Sequence, residues 1–227
     1  MTHVYLVRHG QASAGTDNYD RLSNKGIQQA RLLGQYWKQS GFHVDAAFVG
    51  SLRRQQHTAE LALTSVEHAP TIETLESLNE YDHCAIDKLY GKGLASTGVD
   101  ALQFDQYVDI MARWRDAPSM PEVQSWDSFS LQGWNAIKAE VATHIKYKKK
   151  HSDKHAHLVF FTSGGIIATV LQQLLSLEFK STMQALWQIR NASMTNLLFD
   201  RDGISLVDYN TVPHLQTQQE KGLITQI

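Results

Sequence analysis

Leu158-Val159-Phe160-Phe161-Thr162-Ser163-Gly164-Gly165 is the stretch on which the fold turns. Four consecutive apolar side chains cannot belong to a strand with one wet face. Both faces must be covered, which is the situation of a parallel strand inside an α/β sheet. The Ser-Gly-Gly that follows ends the strand and opens onto an apolar helical pattern over residues 166–177. The same order of strand, loop and helix recurs upstream. Residues 3–7 read as a buried strand running into the polar, glycine-bearing loop Arg8-His9-Gly10-Gln11-Ala12. Ser23 then looks like an N-cap, and Ile27, Ala30, Leu33, Tyr36 and Trp37 recur at helical spacing. Residues 46–49 form a second short strand, followed by a helical pattern over 52–64, and residues 71–75 read as a third strand.

The remaining segments complete an α/β architecture: a three-layer sandwich with a mostly parallel central sheet flanked by helices. Residues 76–98 show no clear periodicity and read as loop. Two helices are expected around 101–115 and 129–147, separated by Pro118 and Pro121, and this region (about 99–150) reads as a helical insertion or cap. Residues 193–200 and 204–209, joined by Asp200-Arg201-Asp202-Gly203, read as an edge hairpin. The whole of residues 1–227 is expected to form one domain.

Composition narrows the classes of function. The chain has 227 residues, 42% hydrophobic and 19% charged, values normal for a globular protein with a full core. Its net charge of −2 offers no general attraction for nucleic acid or anionic lipid, so neither is expected as a partner. No apolar run approaches the roughly 18 residues that span a bilayer, and the opening residues lack a basic leader. The single cysteine, Cys84, cannot form an internal bridge, which points to a cytoplasmic address. The lysines and histidines of residues 146–155 read as a solvated turn after a helix, not as a binding patch.

In an open α/β sheet, ligands settle outside the carboxyl ends of the strands. Three loops at that end carry unusual polar content: Arg8-His9, the approach to Arg53-Arg54, and Ser163-Gly164-Gly165. Arginine forks match phosphate oxygens, and glycine amides at a helix start point at an anion. These residues predict a local anion site.

The loops also carry a resemblance. Leu6-Val7-Arg8-His9-Gly10-Gln11-Ala12 is similar to the Arg-His-Gly signature of the histidine phosphatase superfamily, the phosphoglycerate mutase-like fold. Residues 22–30 (Leu-Ser-Asn-Lys-Gly-Ile-Gln-Gln-Ala) resemble the family's Leu-Ser, Gly, Gln-Ala segment. Residues 51–60 resemble its Pro-Leu-x-Arg-Ala-x-Gln-Thr-Ala segment, and counting back four from Thr58 selects Arg54 over Arg53. Leu78-Asn79-Glu80 resembles its Leu-x-Glu, and residues 210–215 its closing Asn-x-x-x-His-Leu.

The resemblance implies a histidine-type acid phosphatase acting on small-molecule phosphomonoesters without metal or other cofactor. His9 would attack phosphorus to give a phosphohistidine, with Arg8, Arg54, Ser163 and Gly164 binding phosphate and Glu80 acting as general acid and then base. Two nearby guanidiniums would hold the imidazole of His9 uncharged. One departure stands out: where the family has a second histidine, in a strand-His-Gly-Gly-helix turn, this chain has Ser163. A lost donor of that kind costs about a hundred- to a thousandfold in rate, so the alternative is a catalytically weak or inactive phosphoester-binding protein. His83 and His214 are candidates to supply the missing imidazole, and Ser163 is also a candidate N-cap. A serine hydrolase built on Ser163 is disfavoured, because bulky Phe161 stands where a nucleophile elbow needs glycine. The residues after Glu80 do not resemble the substrate motif of the glycolytic mutases. The insertion, with Trp114, Trp126 and Trp134, is expected to roof the site and favour an apolar or aromatic leaving group.

Overall fold

A computed structural model describes residues 1–13, 19–91, 103–148, 156–216 and 222–226. Six strands form one sheet in the order β3-β2-β4-β1-β5-β6. They are β1 (Thr2–Arg8), β2 (Ala46–Val49), β3 (Ile72–Thr74), β4 (Ala156–Thr162), β5 (Met194–Phe199) and β6 (Ile204–Thr211). β3, β2, β4 and β1 are mutually parallel. β5 runs antiparallel to β1, and β6 antiparallel to β5 at the edge. The expected strands and the edge hairpin are all present, each within two residues of its expected bounds.

Alternation along the strands builds two cores. Val4, Leu6, Phe48, Leu158 and Phe160 face one way, against α4 (Phe104–Asp116), α5 (Trp126–Lys148), α6 (Gly164–Leu175) and α7 (Phe179–Gln188). Val7, Val49, Val159 and Phe161 face the other way, against Leu33 and Trp37 of α1 (Asn24–Gln39) and Ala59, Ala62 and Leu63 of α2 (Arg53–Leu63). The apolar run of β4 is buried on both faces because each face has its own helical layer. Truncating a ring such as Phe160, fully enclosed here, would cost roughly 3–5 kcal/mol.

Three regions depart from expectation. Residues 76–91 are not plain loop: they hold a short 3-10 turn (Glu76–Leu78), α3 (His83–Ile86) capped by the Asp82 carboxylate, and a π-type turn (Asp87–Gly91). Turns of three to five residues carry too little periodicity to register as helix. α7 and the terminal α8 (Pro213–Gln216) were not anticipated. Expectations for residues 92–102, and most of the basic cluster at 146–155, fall outside the described residues. Among the described residues no helix is long and apolar enough to cross a membrane.

Register sets the site. Arg8 pairs with Thr162 and Val49 with Phe161, so β1, β4 and β2 end side by side. The His9 amide donates to Thr162 O at 2.9 Å and the Gly50 amide to Phe161 O at 3.2 Å. Three loops far apart in sequence therefore leave the sheet at one place.

Candidate active site

The loop after β1 is locked by close backbone packing. A Cβ on Gly10 would lie 2.5 Å from Gly26 O, and one on Gly26 would lie 2.2 Å from Gln11 O. Both positions therefore require glycine for space, not for a left-handed backbone. Ser23 caps α1 as expected: its Oγ accepts from the Gly26 amide at 3.1 Å and donates to Gln11 Oε1 at 2.8 Å. The helix start and the Arg-His-Gly loop thus hold each other.

His9 is 3% exposed. Its Nδ1 stands 2.7 Å from Gly10 O, a pure acceptor, so Nδ1 carries the proton and Nε2 presents its lone pair. Arg54 Nε donates to that lone pair at 3.2 Å. Burial, then Arg54, then Arg8 push the His9 pKa well below 6.5. The uncharged imidazole expected from two nearby cations is present, although desolvation is the larger cause.

The two arginines are held from behind. Arg54, on the first turn of α2, pairs through Nη1 with Asp20 at 2.8 Å. Asp20 also accepts from the amides of Arg53 (2.8 Å) and Arg54 (3.3 Å), so it caps α2 from a distant loop, where the true N-cap residue, Leu52, cannot. Nothing in the local pattern signalled this carboxylate. Arg53 instead faces solvent beside Glu60, so of the two arginines it is Arg54 that lines the cavity. Arg8 Nη1 donates to the carbonyls of Ile189 and Gln226, so residues 222–226 strap the guanidinium from outside the sheet. Its Nε is buried without a partner among the described residues. A buried, unsatisfied guanidinium N–H is costly unless an anion meets it.

Glu80 enters the same cavity as Arg8, His9, Arg54 and Gly164. Its Oε2 accepts from the Gly165 amide at 2.9 Å, and burial raises its pKa above 4.5 against the pull of that bond and of both arginines. Burial thus works in favour of the protonated carboxyl. The Gly165 amide is consequently engaged by Glu80 and is not an anion donor, which leaves Gly164 on the cavity wall.

Ser163 departs from its expected roles. It makes no cap bond to α6. Its hydroxyl accepts from Gln55 Nε2 at 2.8 Å, and the same amide group donates to Leu78 O at 2.9 Å. Ser163 is fully buried and does not line the cavity. An amide cannot act as a base, so Ser163 is not an activated nucleophile. Of the two spare histidines, His83 lines the cavity against Tyr19, their rings 5.0 Å apart. His214 lies elsewhere, buried beside Tyr36, and supplies nothing to the site.

The expected tryptophan roof is corrected. Trp114 and Trp126 pack against each other at 5.2 Å inside the core, and Trp134 sits under Lys138. The tryptophan that reaches the cavity is Trp187, from the unanticipated α7.

With this geometry in place, comparison with known proteins is decisive for ancestry. The sequence pattern of the histidine phosphatase superfamily (branch 1) matches residues 4–212. The chain belongs to that superfamily. Solved structures agree on the fold of this histidine phosphatase relative. A mycobacterial glucosyl-3-phosphoglycerate phosphatase in complex with inorganic phosphate is 20% identical, with a TM-score of 0.65 over 93% of this chain and 98% of that one. The phosphoserine phosphatase of Entamoeba histolytica, in complex with 3-phosphoglyceric acid, is 20% identical with a TM-score of 0.62 over 95% and 100%. The alpha-ribazole phosphatase of Shigella flexneri is 18% identical with a TM-score of 0.62 over 92% and 96%.

Proposed function

We propose that this protein hydrolyses phosphomonoesters through a phosphohistidine on His9. The observation that carries the reading is the uncharged His9, its Nε2 lone pair directed to a guanidinium, in one cavity with the buried Nε of Arg8 and with the carboxyl of Glu80, whose pKa burial raises.

A phosphoryl group entering the cavity takes the Arg54 Nε–H from His9 Nε2, freeing the lone pair as the nucleophile. Arg8 Nε and Arg54 hold the equatorial oxygens and offset their growing charge. As the N–P bond forms and the P–O bond breaks, Glu80 gives its proton to the leaving oxygen. Water then attacks phosphorus, Glu80 recovers a proton from it, and inorganic phosphate leaves with neutral His9 restored. The Gly10 carbonyl accepts from Nδ1 throughout, which steadies the positive character that the ring gains on phosphorylation.

The competing reading is a phosphoester-binding protein with little or no turnover. It is favoured by Ser163, which adds no cation and whose hydroxyl is bonded to Gln55. Hydrolysis of 4-nitrophenyl phosphate by the protein and by His9→Ala separates the two, together with quenching in base to preserve the acid-labile N–P bond. Turnover and label on His9, both lost in His9→Ala, are expected. Phosphate binding with equal, residual hydrolysis by both proteins would leave only the binding role. As in the sequence reading, we propose one domain with α4 and α5 as its cap, acting in the cytoplasm; the free, exposed Cys84 supports that address.

A further inference from the structure

Arg8 is held by two backbone carbonyls from separate segments. Ile189 O, in the link between α7 and β5, and Gln226 O, in residues 222–226, both accept from its Nη1. Its Nε lies beside Gly164 on the cavity wall, 3.7 Å from where a Cβ on that glycine would stand. A guanidinium is a rigid plane, so fixing Nη1 fixes the direction in which Nε–H points. A carbonyl grips only as firmly as its own segment is anchored.

That anchoring centres on Gln29, fully buried on α1. Its Oε1 accepts from the Gln11 amide at 2.8 Å, and its Nε2 donates to Leu223 O at 2.6 Å and to Thr225 Oγ1 at 2.9 Å. Thr225 Oγ1 in turn donates to Asn191 Oδ1 at 2.8 Å, and the Asn191 amide donates to Thr225 O at 2.8 Å. The next amide, that of Ala192, donates to His9 O at 3.1 Å. A closed circuit therefore runs from Gln11 through Gln29, Thr225 and Asn191 back to His9. Gln226 adjoins Thr225 and Ile189 stands two residues before Asn191, so both carbonyls that hold Arg8 hang from this circuit. Leu223, 2% exposed among Val212, Leu215 and Leu32, seats the segment from below. The oxygen and the nitrogen of the Gln29 amide are both engaged, and losing a partner would leave a buried polar group unpaired.

Resting on the reading of Arg8 as a phosphate ligand, we infer that Gln29 and Thr225 are positioning residues that pin residues 222–226 onto the Arg-His-Gly loop and so aim the Arg8 guanidinium at the phosphoryl group. Neither is among the described residues that line the cavity, and each acts through Arg8. Residues 222–226 are thereby part of the phosphate site.

Calorimetric titration of the full chain with inorganic phosphate tests this without turnover, as double-mutant cycles with Arg8→Ala. Thr225→Val keeps the side-chain shape and removes the hydroxyl. It should weaken phosphate binding about tenfold, within the range of coupling between partners in one hydrogen-bond network, and Thr225→Ser should restore it. Gln29→Met, near in volume, should weaken binding to a similar degree. In the Arg8→Ala background each substitution should change affinity less than about twofold, because no guanidinium is left to aim. A merely structural role would weaken binding equally in both backgrounds. Parental affinity in either variant, or a loss of equal size with and without Arg8, overturns the inference. Parental affinity in Arg8→Ala overturns the reading of Arg8 itself and the inference with it. Cycles as expected, with no His9-dependent hydrolysis of 4-nitrophenyl phosphate, support the inference and overturn the catalytic reading alone.

Discussion

Introducing histidine at position 163 probes why this chain lacks it. Ser163 is fully buried, and its Oγ lies 2.8 Å from Gln55 Nε2, which is itself tied to Leu78 O. The resembled family segment has alanine where this chain has Gln55, so the long amide and the small serine fill one space together. Ser163→His alone would force an imidazole against that amide, and overpacking of this kind costs roughly 1–3 kcal/mol. At about 2–4 °C per kcal/mol for a chain of this size, the midpoint of thermal unfolding should drop by roughly 2–12 °C. Gln55→Ala in the same protein removes the obstruction. The double variant should recover most of that loss and gain a donor beside the phosphoryl group. A donor of that kind is worth a hundred- to a thousandfold when fully in place, so a rise in kcat of about ten- to a hundredfold is expected. The assay is a double-mutant cycle read by calorimetric melting and by kcat on 4-nitrophenyl phosphate. If Ser163→His alone melts like the parent and raises kcat as much as the double variant, Gln55 does not occupy the histidine's place and the reasoning fails.

Three other outcomes follow from the same geometry. A Cβ on Gly165 would lie 2.1 Å from Glu80 Oε1, so Gly165→Ala should displace the acid and lower kcat about tenfold or more for alkyl phosphates. It should do so far less for 4-nitrophenyl phosphate, whose leaving group needs no proton; equal losses on both substrates would refute the assignment. In the pH profile of kcat/KM, His9 must be neutral and Glu80 protonated. The acid limb therefore falls well below pH 6.5, and activity declines on the alkaline side as pH rises through the elevated pKa of Glu80. Glu80→Gln should abolish the alkaline limb, and a wild-type profile still climbing at pH 8 would contradict the role. His214 is buried, both ring nitrogens lack partners among the described residues, and burial lowers its pKa from 6.5 to about 4. A lowered histidine pKa gives stability that is full above 6.5 and is lost as pH falls toward 4, because only the unfolded chain takes the proton. Between pH 7.5 and pH 5 that loss is roughly 2 kcal/mol, and urea melts of His214→Phe should show it removed.

The strand ends and the residues they carry were legible because they obey local rules. An apolar run flanked by glycine declares a buried strand, and the four-residue step back from Thr58 places Arg54 on the inner face of α2 while Arg53 faces solvent. Glu80 was singled out by its motif, since its surroundings in sequence are as polar as any loop. The short turns of residues 76–91 left no such trace, and α7, with Met183 in the core and Trp187 at the cavity, passed unread.

The amino-acid order by itself settled the architecture and the family, and it picked out Arg8, His9, Arg54 and Glu80, which the fold brings to one cavity. These depend on periodicity and on spacing within one segment. Tertiary structure alone decided that Asp20 grips Arg54, that the backbone of Ile189 and Gln226 holds Arg8, that Gln55 takes the Ser163 hydroxyl, and that Trp187 lines the cavity in place of Trp114 or Trp126. Each of those is a contact between segments separated by tens to hundreds of residues. Such contacts are chosen by how the sheet and its two helical layers close on one another, and that free energy is shared across the whole core, so no local pattern records it.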